Sequence, residues 1–158
     1  MLCCLAMSRA FVKDAEAIDD LPDRPISDHP NEVTREGLRQ IEAALTAAQD
    51  AFAVAQAAGD QEGLSRARRD LRYWTARRST AVVAPESEDF SVVRFGHTVT
   101  ISRDDGREQT FRIVGEDEAD PARGTISHVS PLSRALFGKG VGDIVSVAGS
   151  EAEIMNIR

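Results

Sequence analysis

Apolar residues recur along the chain with two different periods. From Leu38 the apolar positions are Leu38, Ile41, Leu45, Ala48, Phe52 and Ala55, alternately three and four apart, which is the seam of a heptad helix. Thr34 is placed to cap this helix and Gly59 to close it after Ala58. Leu64, Ala67, Leu71 and Trp74, followed by Arg78 and Ala81, repeat the spacing in a second helix that Asp60 opens and that reaches about Thr80. Helices joined by a Gly-Asp turn lie antiparallel, because each buries its seam only against the other. Such a hairpin has a thin core, so it projects from a larger body or leans on a partner.

Beyond Pro85 the period shortens to two. Val93, Phe95, Thr98, Val99 and Ile101 build a strand region. Asp104-Asp105-Gly106 turns it into a partner strand over 109–114, with Phe111 and Ile113 on one face. Another turn at 121–124 leads to Thr125-Ile126. Ser130 is an N-cap and Pro131 an N1 residue for a short helix with Leu132, Ala135 and Leu136 on one face. Gly138 is expected to close that helix in a left-handed conformation, and Gly140 and Gly142 lead into strands over 144–148 and 152–157. The class is α+β: an antiparallel helical hairpin, then an antiparallel sheet with one short helix. The expected division is an extended or disordered arm over 1–32, the hairpin over 33–83, a linker over 84–89 and the sheet module over 90–158.

Composition and charge narrow the function. With 28% charged and 5% aromatic residues, the 158-residue chain suits long exposed helices better than one thick core. A net charge of −7 argues against unaided binding to a phosphate backbone, and therefore against direct DNA sequence recognition. Cys3 and Cys4 are adjacent and cannot staple the fold, which points to a reducing cytoplasm. No run approaches the ~18–20 apolar residues of a membrane span. Residues 1–6 are read as an upstream extension, with translation starting at Met7.

Few residues offer chemistry. His97 and His128 lack companions at ligand spacing, so no metal site is expected in the free protein. Ser127, Ser130 and Ser133 read as caps and turns rather than nucleophiles. Arg66, Arg68, Arg69, Arg72, Arg77 and Arg78 make the second helix basic, either as a solvated face or as one that meets an acidic partner. Glu116-Asp117-Glu118-Ala119-Asp120 reads as a solvated acidic loop, with partner docking as the alternative. The hairpin tip, Gly59-Asp60-Gln61-Glu62-Gly63, carries two carboxylates at the start of a helix, where Asp60 and Glu62 stabilise that start without any metal.

The string I-S-x-x-S-P-L-S-R-A-L-F-G-K-x-x-G-D over residues 126–143 resembles the C-terminal domain signature of the bacterial GreA/GreB transcript-cleavage factors. The segments at 93–99 and 109–120 continue the likeness in family order, and 7–13 resembles a GreB start. The resemblance implies an FKBP-like fold for the C-terminal module. It implies RNA polymerase as partner, bound through Ser130, Pro131, Arg134, Gly138 and Lys139, with the hairpin in the secondary channel. It also implies a regulator of elongation rather than an enzyme, in which Asp60 and Glu62 hold Mg²⁺ jointly with the polymerase against backtracked RNA. The family places its tip Glu three residues after the Asp, whereas Glu62 follows Asp60 by two. Both helices are shorter than the family's by about two turns, leaving the tip about 10 Å short. Such shortening fits the non-cleaving, channel-occupying relatives of the nucleoside diphosphate kinase regulator type. An FKBP-like isomerase or ligand-binding module is a further alternative, but most of the few aromatics of the module, Phe90, Phe95, Phe111 and Phe137, read as core.

Overall fold

The computed structural model describes residues 21–158. The readings of Met7 as a start, of Cys3-Cys4 and of a GreB-like opening fall outside the described residues. Residues 21–31 run without helix or strand alongside the second helix. Arg24 lies over the Tyr73 ring at 3.7 Å, and Arg72 pairs with Asp23.

Two long helices follow, α1 (Arg35–Ala58) and α2 (Gln61–Thr80), flanked by two short strands, β1 (Glu32–Val33) and β2 (Val82–Val83). The local chemistry explains the limits of the helices. Thr34 Oγ1 accepts the Gly37 N–H at 2.9 Å, Gly59 closes α1 in the left-handed region at φ 65°, and Asp60 Oδ1 accepts the Gly63 N–H at 3.0 Å to open α2. Ile41, Ala48 and Ala55 are buried on one helix against Leu64 and Ala67 on the other, as the heptad spacing predicts. The seam departs from expectation at its end. Arg77 is buried and Arg78 exposed, because Arg77 faces the C-terminal domain while Arg78 pairs with Glu42 across the hairpin at 2.8 Å. β1 and β2 pair in parallel and close the hairpin at its base.

The C-terminal domain is a five-stranded sheet in the order β5-β4-β3-β7-β6, made of β3 (Thr98–Arg103), β4 (Glu108–Val114), β5 (Thr125–Ser127), β6 (Ile144–Val147) and β7 (Ser150–Ile157). Three pairings are antiparallel, and β5 joins β4 in parallel, so the sheet is mixed. The parallel step follows from the connection 115–124, which is long enough to cross over instead of folding back as a hairpin. The helix α3 (Pro131–Leu136) covers the sheet with Leu136, which is fully buried among Val93, Val99, Ile101, Ile113 and Ile154. Residues 93–97 form turns before β3 rather than the predicted strand, although Val93 is buried in the core.

Gly138 has a positive φ of 74°, but it does not cap the helix directly. Phe137 is extended, and the Lys139 N–H bonds the Leu136 carbonyl at 3.0 Å, which makes a type II turn with Gly138 at its third position. Among the described residues no helix is long and apolar enough to cross a membrane.

Candidate functional site

The sequence-predicted residues fall in two places. Asp60 and Glu62 lie at the hairpin tip, and α1, with 24 residues at about 1.5 Å each, carries that tip about 36 Å from the base. Ser130, Pro131, Arg134, Gly138 and Lys139 line one short segment around α3. The structure does not bring the two groups together.

At the tip both carboxylates already serve the helix start. Asp60 accepts the Gly63 N–H as N-cap, and Glu62 pairs with Arg66 one turn on. Both are exposed. Among the described residues no group of three or more His, Cys, Asp or Glu could hold a metal ion. Two exposed carboxylates, one capping and one ion-paired, do not fit a self-sufficient Mg²⁺ site, which needs several converging oxygen ligands.

Around α3, Ser130 Oγ accepts the Ser133 N–H at 3.2 Å, and the two hydroxyls lie 3.0 Å apart. Pro131 and Arg134 are exposed, and Arg134 donates to His29 Nε2 at 2.9 Å. Gly138 and Lys139 are exposed side by side, yet their backbones are fixed: Gly138 N–H bonds the Val93 carbonyl at 3.0 Å, and the Lys139 carbonyl accepts the Val93 N–H at 2.8 Å. The segment is a rigid ledge that presents a proline, two cations and a turn to solvent.

Sequence reasoning missed the base of the hairpin. Arg77 is 2% exposed and donates from Nε to Asp117 Oδ2 at 2.5 Å and from a terminal nitrogen to Asn31 Oδ1 at 2.7 Å. Asn31 returns its amide to the Arg77 carbonyl at 2.8 Å and to Thr80 Oγ1 at 3.1 Å. The Tyr73 hydroxyl donates to the other Asp117 oxygen at 2.5 Å. Burial first, and then the bond to Asp117, push the Tyr73 phenol up to about 12. Thr34 Oγ1 donates to Glu118 Oε2 at 2.6 Å while it caps α1. Gly37 makes this approach possible, because a Cβ there would stand 2.6 Å from the same carboxylate oxygen.

The acidic run is therefore not a solvated loop. Asp117 and Glu118 fasten the hairpin, and Asp120 caps the single turn over Pro121–Arg123. The histidines are also structural. His97 Nδ1 accepts the Arg94 N–H at 3.2 Å and Nε2 meets the Ser87 carbonyl at 3.1 Å, while His128 Nε2 meets the Pro30 carbonyl at 3.2 Å. The one signal that could have exposed the base is an arginine three residues after Trp74, where the seam could continue. Asn31 gave none.

Comparison with known proteins fits this arrangement. Residues 86–158 match the family described as transcription elongation factor, GreA/GreB, C-terminal. A transcription elongation factor GreB from Neisseria meningitidis serogroup B is 45% identical over 95 residues, covering 56% of this chain and 58% of that protein. A GreA from Hyphomonas neptunium is 59% identical over 59 residues, covering 37% of this chain and 38% of the relative. The chain thus spans about half the length of the curated relatives it matches. The crystal structure of GreA factor homolog 1 (Gfh1) of Thermus thermophilus is 21% identical, with a TM-score of 0.40, over 82% of this chain and 99% of its own. Over residues 86–158, the chain is thus similar to the C-terminal domain of the GreA/GreB transcription elongation factors.

Proposed function

We propose that this protein regulates transcription elongation by binding RNA polymerase at the secondary channel, without being an enzyme itself. Its C-terminal domain would seat on the polymerase through the Ser130–Lys139 ledge, and the hairpin would enter the channel. The match of residues 86–158 to the GreA/GreB C-terminal domain supports the partner. The hairpin tip supports occupancy rather than catalysis: Asp60 Oδ1 is engaged by the Gly63 N–H at 3.0 Å, and Glu62 is ion-paired with Arg66. A carboxylate that shares Mg²⁺ with the polymerase at ~2.1 Å tolerates little slack, and a metal would compete with the cap of Asp60 and the ion pair of Glu62. The protein then fills the channel and stimulates RNA cleavage weakly or not at all, as the non-cleaving relatives do.

Two experiments test the reading. Immobilised full-length protein should retain core RNA polymerase, and Arg134→Ala with Lys139→Ala should weaken retention; loss of all binding by the folded wild type would end the proposal. On stalled, backtracked elongation complexes with Mg²⁺, the wild type should leave transcript length nearly unchanged. Strong shortening that disappears in the Asp60→Ala, Glu62→Ala double variant would make the tip catalytic.

A further inference from the structure

A cavity of about 320 Å³ opens where the start of α1, the stretch after β2 and the edge of the sheet meet. Three arginines, Arg35, Arg112 and Arg158, line it, with Glu86 as the one acidic side chain in its wall. Counting the α-carboxylate of Arg158 with Glu86, three guanidinium groups face two carboxylates, a small local excess of positive charge in a chain whose net charge is −7. Arg112 Nε is fixed on the Gly96 carbonyl at 3.2 Å, which leaves the far edge of its guanidinium for another acceptor. The side chains of Arg35 and Arg158 make no hydrogen bond or ion pair among the described residues. Elsewhere on the molecule arginines are used: Arg39, Arg66, Arg77, Arg78, Arg94 and Arg107 all hold carboxylates.

The cavity also has an aromatic wall. Phe90 is 44% exposed, and its ring lies 5.0 Å from the imidazole of His97, which is itself buried and satisfied at both nitrogens. Phe95 lines the same cavity and is held edge-on by His128 at 5.5 Å. Fixed rings of this kind offer flat apolar faces at little entropic cost, while arginines offer planar forks that match phosphate oxygens. The volume lies at the small end of the range for ligand sites, roughly 300–1,000 Å³.

We infer that this cavity binds a small organic anion with a planar ring, of the nucleoside phosphate class, with its phosphates on Arg35, Arg112 and Arg158 and its ring against Phe90 and Phe95. Such a ligand would touch both α1 and the sheet domain and bridge the hairpin to the domain that carries it. The inference is independent of polymerase binding and is tested on the free protein.

The full-length ¹⁵N-labelled protein is titrated with ADP or GDP, with pyrophosphate alone and the nucleoside alone as separate arms. Saturable amide shifts should concentrate at residues 84–97, 112 and 158. Arg35→Gln with Arg158→Gln should weaken binding by about tenfold or more with an unchanged melting temperature, as expected for losing two charge-assisted contacts. Phe90→Leu should weaken the nucleotide but not pyrophosphate. No saturable shift at millimolar nucleotide, equal affinity in the folded double variant, or pyrophosphate binding as tightly as the nucleotide would each overturn the inference.

Discussion

The two ends of the helical hairpin are built on opposite terms. The tip is exposed from Gly59 to Glu62 and satisfies itself: its polar contacts lie within five residues of chain. The base is buried, and its contacts join residues 40 to 84 positions apart, with Arg77 reaching Asp117 and Asn31 and Thr34 reaching Glu118. A buried ion pair with split hydrogen bonds is costly to break by halves, whereas an exposed pair costs little to lose. The contrast teaches where the molecule resists change. The base fixes the direction of the hairpin, and the tip is free to vary.

The sharpest way to break this contrast is Arg77→Ala. It strands Asp117 and one side of Asn31, and should destabilise by about 3–5 kcal/mol in denaturant unfolding followed by Trp74 fluorescence. A loss no larger than that of a tip substitution would erase the distinction. Tyr73→Phe removes the second bond to Asp117 and should cost about 1–2 kcal/mol. It also carries a pH signature. The phenol titrates near 12 in the folded protein and near 10 unfolded, so its contribution is fully present below pH 10 and is lost as pH rises through 12. Alkaline unfolding over that window should be shallower in Tyr73→Phe than in the wild type.

At the tip, Asp60→Ala should cost about 1 kcal/mol, seen as faster hydrogen exchange in the first turn of α2 and no change at Asp117. Glu62→Gln should be smaller still, within about 0.5 kcal/mol, since its pair with Arg66 is solvent-exposed. A larger effect of Glu62 than of Asp60 would mean that the tip is held by more than its cap.

What the sequence disclosed and what it hid divide along the same line. As caps and helix starts, Thr34, Gly59, Asp60, Ser130 and Pro131 act within four residues of themselves, so those roles were readable from spacing alone, while the reach of Thr34 to Glu118 was not. The helix limits follow from them. The family signature around Ser130 and Gly138 was equally legible. Nothing local distinguishes Arg77 from Arg78, or Asp117 from Glu116, because the partner of each is set by how the hairpin meets the sheet. For the same reason the acidic run looked solvated, and β5 looked like one more antiparallel strand. The three arginines of the cavity lie at positions 35, 112 and 158, and only the fold gathers them.

The parallel pair of β1 and β2 has one more consequence. Glu32 pairs with Val82 and Val33 with Val83, so the chain leaves and re-enters the body of the molecule at neighbouring points. The helices beyond the Arg77 and Tyr73 network form an arm on a fixed socket. Inserting or deleting one heptad in each helix would preserve both the seam and the closing turn, and would move the tip by about 10 Å without disturbing Arg77 or Asp117. The reach of this protein is thus a dimension that can change in whole steps while its seat stays the same.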